Sequence, residues 1–378
     1  MLIESVDMER TSPTLRRFIW LLGLSLLGCS GGGESERHAP RREFVLGWSA
    51  SVGSVPWEFA ERAGIVKGWG DRYGLKIEVM QFTDRLQSIK LFAEGKITGV
   101  AATATDALMH LTRGKRTGTA LILGDSSNGN DGIVSRVVGD LAGLRRKIVH
   151  LVEFSVSQYL LERALHGAGI PRAEVTVVGV SEEEIPSLLD SRAESTVSTW
   201  NPHLDTLEVQ HRMTCLFDSR AIPDEILNLV VVDSDTLNCS PGFGTALVGI
   251  WYETLQMVLS SGAEGSAARA DMASLLGITP ERFEAQLRST RFFKSRNEVR
   301  AFLNSEESDR ALSSGVEFVR EKLTGQGSLP EGAALGIGID ERIVGGRELV
   351  PLRFDTSWFQ TESLASTQGS TSGDGESR

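Results

Sequence analysis

From residue 44 to residue 217, short apolar stretches alternate with amphipathic ones, and this rhythm restricts the chain more than any other feature it has. Residues 44–48 (FVLGW) read as a strand. Residues 56–73 read as one helix, with Pro56 preset for a first turn and Phe59, Ala60, Ala63, Val66 and Trp69 near 3.6-residue spacing. Gly74 ends it, 75–80 (LKIEVM) alternates as a strand does, and Asp84 is placed to cap a helix through Phe92. Strands at 98–102, 120–123 and 132–137 follow, with a short helix from about Thr105. A second unit opens near Lys147 with a strand, a helix at 155–166 and further segments through 217. Residues 227–232 (LNLVVV) form an apolar strand that returns the chain to the first unit; 241–324 are mainly helical and 334–359 extended. Such alternation predicts an α/β layer architecture with parallel pairing. At 378 residues and 40% hydrophobic content there is enough material for two lobes with a ligand cleft between them. The expected division is 44–146 and 228–360 in lobe 1, and 147–227 in lobe 2.

The N-terminus has a different character. Arg16-Arg17, the apolar run 18–27 and a small residue before Cys29 have the layout of a bacterial lipoprotein signal. The run is too short to span a bilayer comfortably, which takes about 20 residues. Residues 1–28 are therefore expected to be a signal peptide, Cys29 the lipidated residue, 29–43 a flexible tether and 361–378 a disordered tail. Membrane contact would be through the lipid alone, and the location periplasmic or at the cell surface. A net charge of −11 argues against a nucleic-acid partner. Cys215 and Cys239 are left open between a disulfide and two free thiols. None of the six histidines has zinc-site spacing, and there is no nucleophile elbow, Walker loop or H-E-x-x-H, so neither a catalytic site, a metal nor a cofactor is expected.

Candidate ligand residues cluster where strands give way to helices. Trp48 and Ser51 follow the first strand, and Trp57 opens the next helix. Asp106 lies in the turn Thr103-Ala104-Thr105-Asp106, where Thr105 or Asp106 is also a candidate N-cap. Asp125, Asn130 and Asp131 belong to the polar run 124–132 (GDSSNGNDG), which reads either as a donor and acceptor cluster or as a solvated hinge loop. Glu153 and Ser155 join the second unit's first strand to its helix, and Trp200 and Asn201 stand at another helix entrance there. Core packing competes with a pocket role for each tryptophan. Together these loops offer three tryptophans, four carboxylates and no Lys or Arg, which suits a planar cationic or amide-like solute better than a sulfonate or nitrate.

At these residues the chain resembles the substrate-binding proteins of ABC importers in the nitrate, sulfonate, taurine and thiamine-precursor class, and more narrowly the urea importers associated with urea carboxylase. The resemblance rests on Val55-Pro56-Trp57, Gly64-Ile65-Val66-Lys67, Thr105-Asp106-Ala107-Leu108, Gly124-Asp125 with 127–132 (SNGNDG), 152–157 (VEFSVS), Thr199-Trp200-Asn201-Pro202, Phe217-Asp218-Ser219 and Trp251-Tyr252-Glu253-Thr254. It implies a type II periplasmic-binding-protein fold, a monomer that closes on its solute, a membrane permease and an ATPase as partners, and urea, guanidine or a related small nitrogen compound as the solute. Gly47 and Ser54 depart from the bulkier neighbours the resemblance leads one to expect. A sensing ectodomain and an enzyme of the same fold, of the pyrimidine-precursor type, are the alternatives.

Overall fold

The computed structural model describes residues 43–190 and 195–359, so the expected signal peptide, lipidation at Cys29, tether before Glu43 and tail lie outside the described residues. Strands β1 (Glu43–Ser49), β2 (Lys76–Phe82), β3 (Gly99–Thr103) and β4 (Gly118–Ser127) belong to a first sheet. Strands β5 (Asp131–Ser135), β6 (Ile148–Leu151), β7 (Thr176–Gly179), β8 (Thr196–Trp200) and β9 (Thr214–Asp218) make a second. The chain then returns to the first sheet with β10 (Leu227–Asp233), β11 (Thr290–Phe292), β12 (Leu335–Ile339), β13 (Arg342–Gly345) and β14 (Leu349–Phe354). The orders are β13-β12-β14-β4-β10-β3-β1-β2, with β11 on β4, and β7-β6-β8-β5-β9.

The alternation produces parallel pairing where helices link neighbouring strands, as between β1 and β2 and between β1 and β3. Both sheets are nevertheless mixed. Strand β10 re-enters the first sheet from the other lobe's side, so it runs antiparallel to β3 and β4. Strand β5 runs antiparallel to β8 and β9, which puts 131–135 in the second sheet and the first crossing near 128–130, ahead of the expected boundary at 146.

Two further local expectations change. The single helix over 56–73 is two, Pro56–Arg62 and Ile65–Tyr73, because Gly64 takes φ 75° between them. The polar run 124–132 is mostly strand, since β4 continues to Ser127 and β5 begins at Asp131. Turn-forming residues are held extended there by pairing with β10 and β11, which overrides their local preference.

The first sheet is buried on both faces. Ile89, Phe92, Leu108 and Met109, from the helices Arg85–Ala93 and Ala104–Gly114, cover one face in a core that continues into the second sheet. Trp57, Phe243 and Trp251, from the helices Pro56–Arg62 and Pro241–Leu259, cover the other. Phe44 and Phe243 stack there at 4.2 Å, each fully buried ring contributing about 1.5–3 kcal/mol. Gly47 points to the opposite face, into the core with Ile89 and Phe92, where a Cβ on it would lie 2.8 Å from Ile97. Cys215 and Cys239 are not bridged to each other. No described helix is long and apolar enough to cross a membrane.

Candidate functional site

Strand β4 carries a bulge where Asn228 pairs with Asp125 and Leu229 with Leu123, leaving Gly124 as the extra residue. The bulge fits because Gly124 has no side chain; a Cβ there would lie 2.9 Å from the Trp251 ring. Beyond it the Asp125 carboxylate is buried against Gly53, where a Cβ would come within 2.3 Å of Oδ2. Asn228 Nδ2 donates to Oδ1 at 2.7 Å, and Oδ2 has no hydrogen-bond partner. Burial pushes this carboxyl up to about 7, with Asp131 adding to the shift while Asn228 and the Arg85 charge oppose it.

Arg85 is the counter-charge of the site. It opens the helix Arg85–Ala93, whose Asp84 cap accepts from Leu86 N, and it is only 8% exposed. A cation in a first helical turn opposes the helix dipole, at a cost of about 0.3–1 kcal/mol. Glu182 of the second lobe offsets this by accepting from Arg85 N at 2.9 Å. The guanidinium lies over the Trp200 ring at 5.0 Å and favours ionisation of Asp106, Asp125 and Asp131 through its charge.

Asp125 and Arg85 line the same small cavity, together with Trp57, Ser54, Asn228 and Trp251. Its free space is about 10 Å³, room for about one water. Trp57 and Trp251 stack on each other at 5.7 Å, and Trp251 Nε1 has no partner. Asp106 lies nearby on the helix capped by Thr103, whose hydroxyl accepts from Asp106 N at 3.1 Å; the cap is thus Thr103, where Thr105 or Asp106 was expected. The Asp106 carboxylate is fully buried, with the Thr103 hydroxyl and the Val156 amide against it. Burial raises that carboxyl to about 6 against Arg85, the Thr103 hydroxyl and the Val156 amide, which favour its charge. Asp131 is raised by burial too, opposed by the Ser127 hydroxyl and Arg85. Among the described residues no His, Cys, Asp and Glu side chains converge in a way that would hold a metal ion.

The structure therefore brings together Trp57, Asp125 and, through Arg85, Trp200, Asp106 and Asp131. It gives the other candidates different work. Trp48 is buried in the core behind the cavity, and Ser51 serves a turn through its carbonyl, which accepts from Ser54 N and Val55 N. Asn130 donates to the Ser289 carbonyl and Thr290 Oγ1 and accepts from Asn201 Nδ2 and Ser289 Oγ, while Asn201 Oδ1 accepts from Asp205 N. These two amides brace the crossing between sheets with no group left over. Ser155 is spent on capping, accepting from Ser157 N and donating to the Val152 carbonyl. Glu153 is exposed and packs beside Gly179 at the end of β7. Arg85, Asn228 and Trp251 were not among the expected ligand residues. An arginine in a helix's first turn, directly after a strand, is the signal that marks Arg85.

No family model matches the sequence, and no curated protein matches it. Solved structures do match its fold. The alkanesulfonate-binding protein SsuA of Xanthomonas axonopodis pv. citri, bound to MOPS, superposes with TM-score 0.62 at 13% identity, over 78% of this chain and 96% of its own. The periplasmic aliphatic sulphonate binding protein SsuA of Escherichia coli gives 0.60 at 16% identity, over 75% and 94%. The periplasmic nitrate-binding protein NrtA of Synechocystis PCC 6803 gives 0.56 at 14%, over 78% and 84%. With its two mixed sheets and these matches, this chain has the periplasmic-binding-protein fold.

Proposed function

We propose that this chain is the solute-binding component of an ABC importer, and that it captures a small nitrogen compound of the urea or guanidine type between its lobes. The observation that carries this reading is the buried, unpartnered Oδ2 of Asp125 in a cavity walled by Trp57 and Trp251. A buried acceptor without a donor costs about 1–3 kcal/mol, so the site is arranged to receive N–H groups from elsewhere. The likeness to sulfonate- and nitrate-binding proteins supports the solute-receptor role at the level of the fold. The carboxylates favour a different solute chemistry, N–H donors in place of an oxyanion.

Capture works if the solute binds the closed lobes better than the open ones. Contacts that span the lobes are in place for this: Arg85 N to Glu182, and Arg282 paired with Asp205 at 2.6 Å. The N–H groups of a bound solute would add donors to Asp125 in the first lobe, and a gain on closure would come from contacts with the second lobe, whose Trp200 ring faces Arg85. The closed form would then be delivered to a permease and its ATPase by a monomer tethered through lipid on Cys29, outside the cytoplasm. This is a receptor's work and asks for no catalytic group.

Thermal unfolding of the full chain with urea, guanidinium, taurine, nitrate and a pyrimidine precursor tests the proposal. A specific solute at about a hundred times its dissociation constant adds about 2.7 kcal/mol. A clear rise in Tm with urea or guanidinium is expected. Stabilisation by nitrate or taurine alone would refute the nitrogen-compound assignment, and no stabilisation by any of them would refute the receptor role tested here.

A further inference from the structure

Resting on the receptor reading above, we propose that Arg85 and Asp125 act as a bipolar pair, which selects a small solute carrying an acceptor at one end and N–H donors at the other over a bare cation or a bare anion. Those two are the charged residues lining the cavity, one of each sign. Asp125 presents Oδ2 with no partner while Asn228 holds Oδ1. It therefore supplies an acceptor for incoming N–H groups. Arg85 supplies only donors, because a guanidinium has no acceptor atom. It also lies on the Trp200 ring face, where a cationic solute was expected to stack; the protein's own cation holds that position. A guanidinium entering the cavity meets Arg85 as a like charge, and an oxyanion meets Asp125 as one. A carbonyl compound with amide N–H groups complements both.

Urea, guanidinium and nitrate are planar and trigonal, and differ in their mix of donors and acceptors and in charge. Calorimetric titration of each into the full chain, at pH about 8 so that Asp125 is ionised, isolates polarity from shape. Urea is expected to bind most tightly, with each ion weaker by about tenfold or more. Arg85→Met should weaken urea by about tenfold and move the order toward guanidinium, and Asp125→Ala should move it toward nitrate. Arg85→Lys keeps the charge, and it should keep urea ahead of guanidinium even where overall affinity drops. Either ion binding as tightly as urea to the unmodified chain would overturn the pairing while leaving the receptor reading intact, as would an order unchanged in Arg85→Met. Silence toward all three, with none of the wider panel stabilising the chain, would remove the receptor reading and this inference with it.

Discussion

Asn228 Nδ2 holds Oδ1 of Asp125 at 2.7 Å and leaves Oδ2 of the same carboxylate buried without a partner. Half of this side chain is fixed by the fold and half is kept for something else. The two residues face each other only because β10 returns from the second lobe and pairs with β4 across the bulge at Gly124.

The first prediction is a trade of binding against stability. The Asp125 carboxyl sits at about 7 in the folded chain against an ordinary 3.8. Between those values the folded state holds a proton that the unfolded state has released, so this group's contribution makes stability fall as pH rises. Asp125→Asn should abolish solute binding yet raise stability above neutral pH by about 1 kcal/mol or more, which is about 2–4 °C in Tm. The gain should shrink toward pH 5. Thermal melts of both proteins across pH check it, and a variant less stable at pH 8 would contradict it.

Affinity should follow pH in the opposite sense. A solute that donates N–H groups needs Asp106 and Asp125 ionised, and their carboxyls sit at about 6 and about 7. Binding should therefore tighten as pH rises through 6 and 7 and level off above, by up to about tenfold per unit for each proton displaced. Titration calorimetry in buffers of differing ionisation heat reads both the affinity and the proton release.

A single methyl group should close the site. At Gly53 a Cβ would lie 2.3 Å from Asp125 Oδ2, so Gly53→Ala must push the carboxylate or the loop aside. The strain is expected to cost about 1–3 kcal/mol, with solute affinity reduced by about tenfold or more. Melting and titration of the same preparation separate the two effects.

Asn130 and Glu153 offer opposite controls. Asn130→Ala removes side-chain bonds to Ser289, Thr290 and Asn201 at the crossing between sheets, and should destabilise the fold by about 2–3 kcal/mol. Glu153→Gln changes an exposed group beside Gly179, and should leave both Tm and solute affinity within error. A Glu153 variant that lost binding would return that residue to the site.

Much of the fold is written locally. Strands β1, β2 and β10 are compact or alternating apolar runs, and Asp84 and Ser155 cap the helices they precede. What local pattern does not carry is partnership between distant segments. Strand β11 is three residues long and exists because β4 offers it an edge. The polar run around Asp125 looks like a loop until β10 and β11 pair with it. Asp125 and Trp57 could be chosen from sequence because they follow the strand-to-helix logic of α/β folds. Arg85 could not be placed so readily, because a lone arginine usually lies in solvent and only the buried neighbours Trp200 and Asp125 give it another role. Asn130 and Asn201 are the reverse case, amides suited to a ligand that instead bond each other.

The most direct test of the account is calorimetric titration of urea into the full chain and its Asp125→Asn variant side by side, at pH about 8. Saturable binding at roughly micromolar affinity, or about −8 kcal/mol, that disappears in the variant is the expected result. Equal heats from both proteins would mean that the carboxylate left open by Asn228 does not hold the solute, and the site would have to be sought elsewhere.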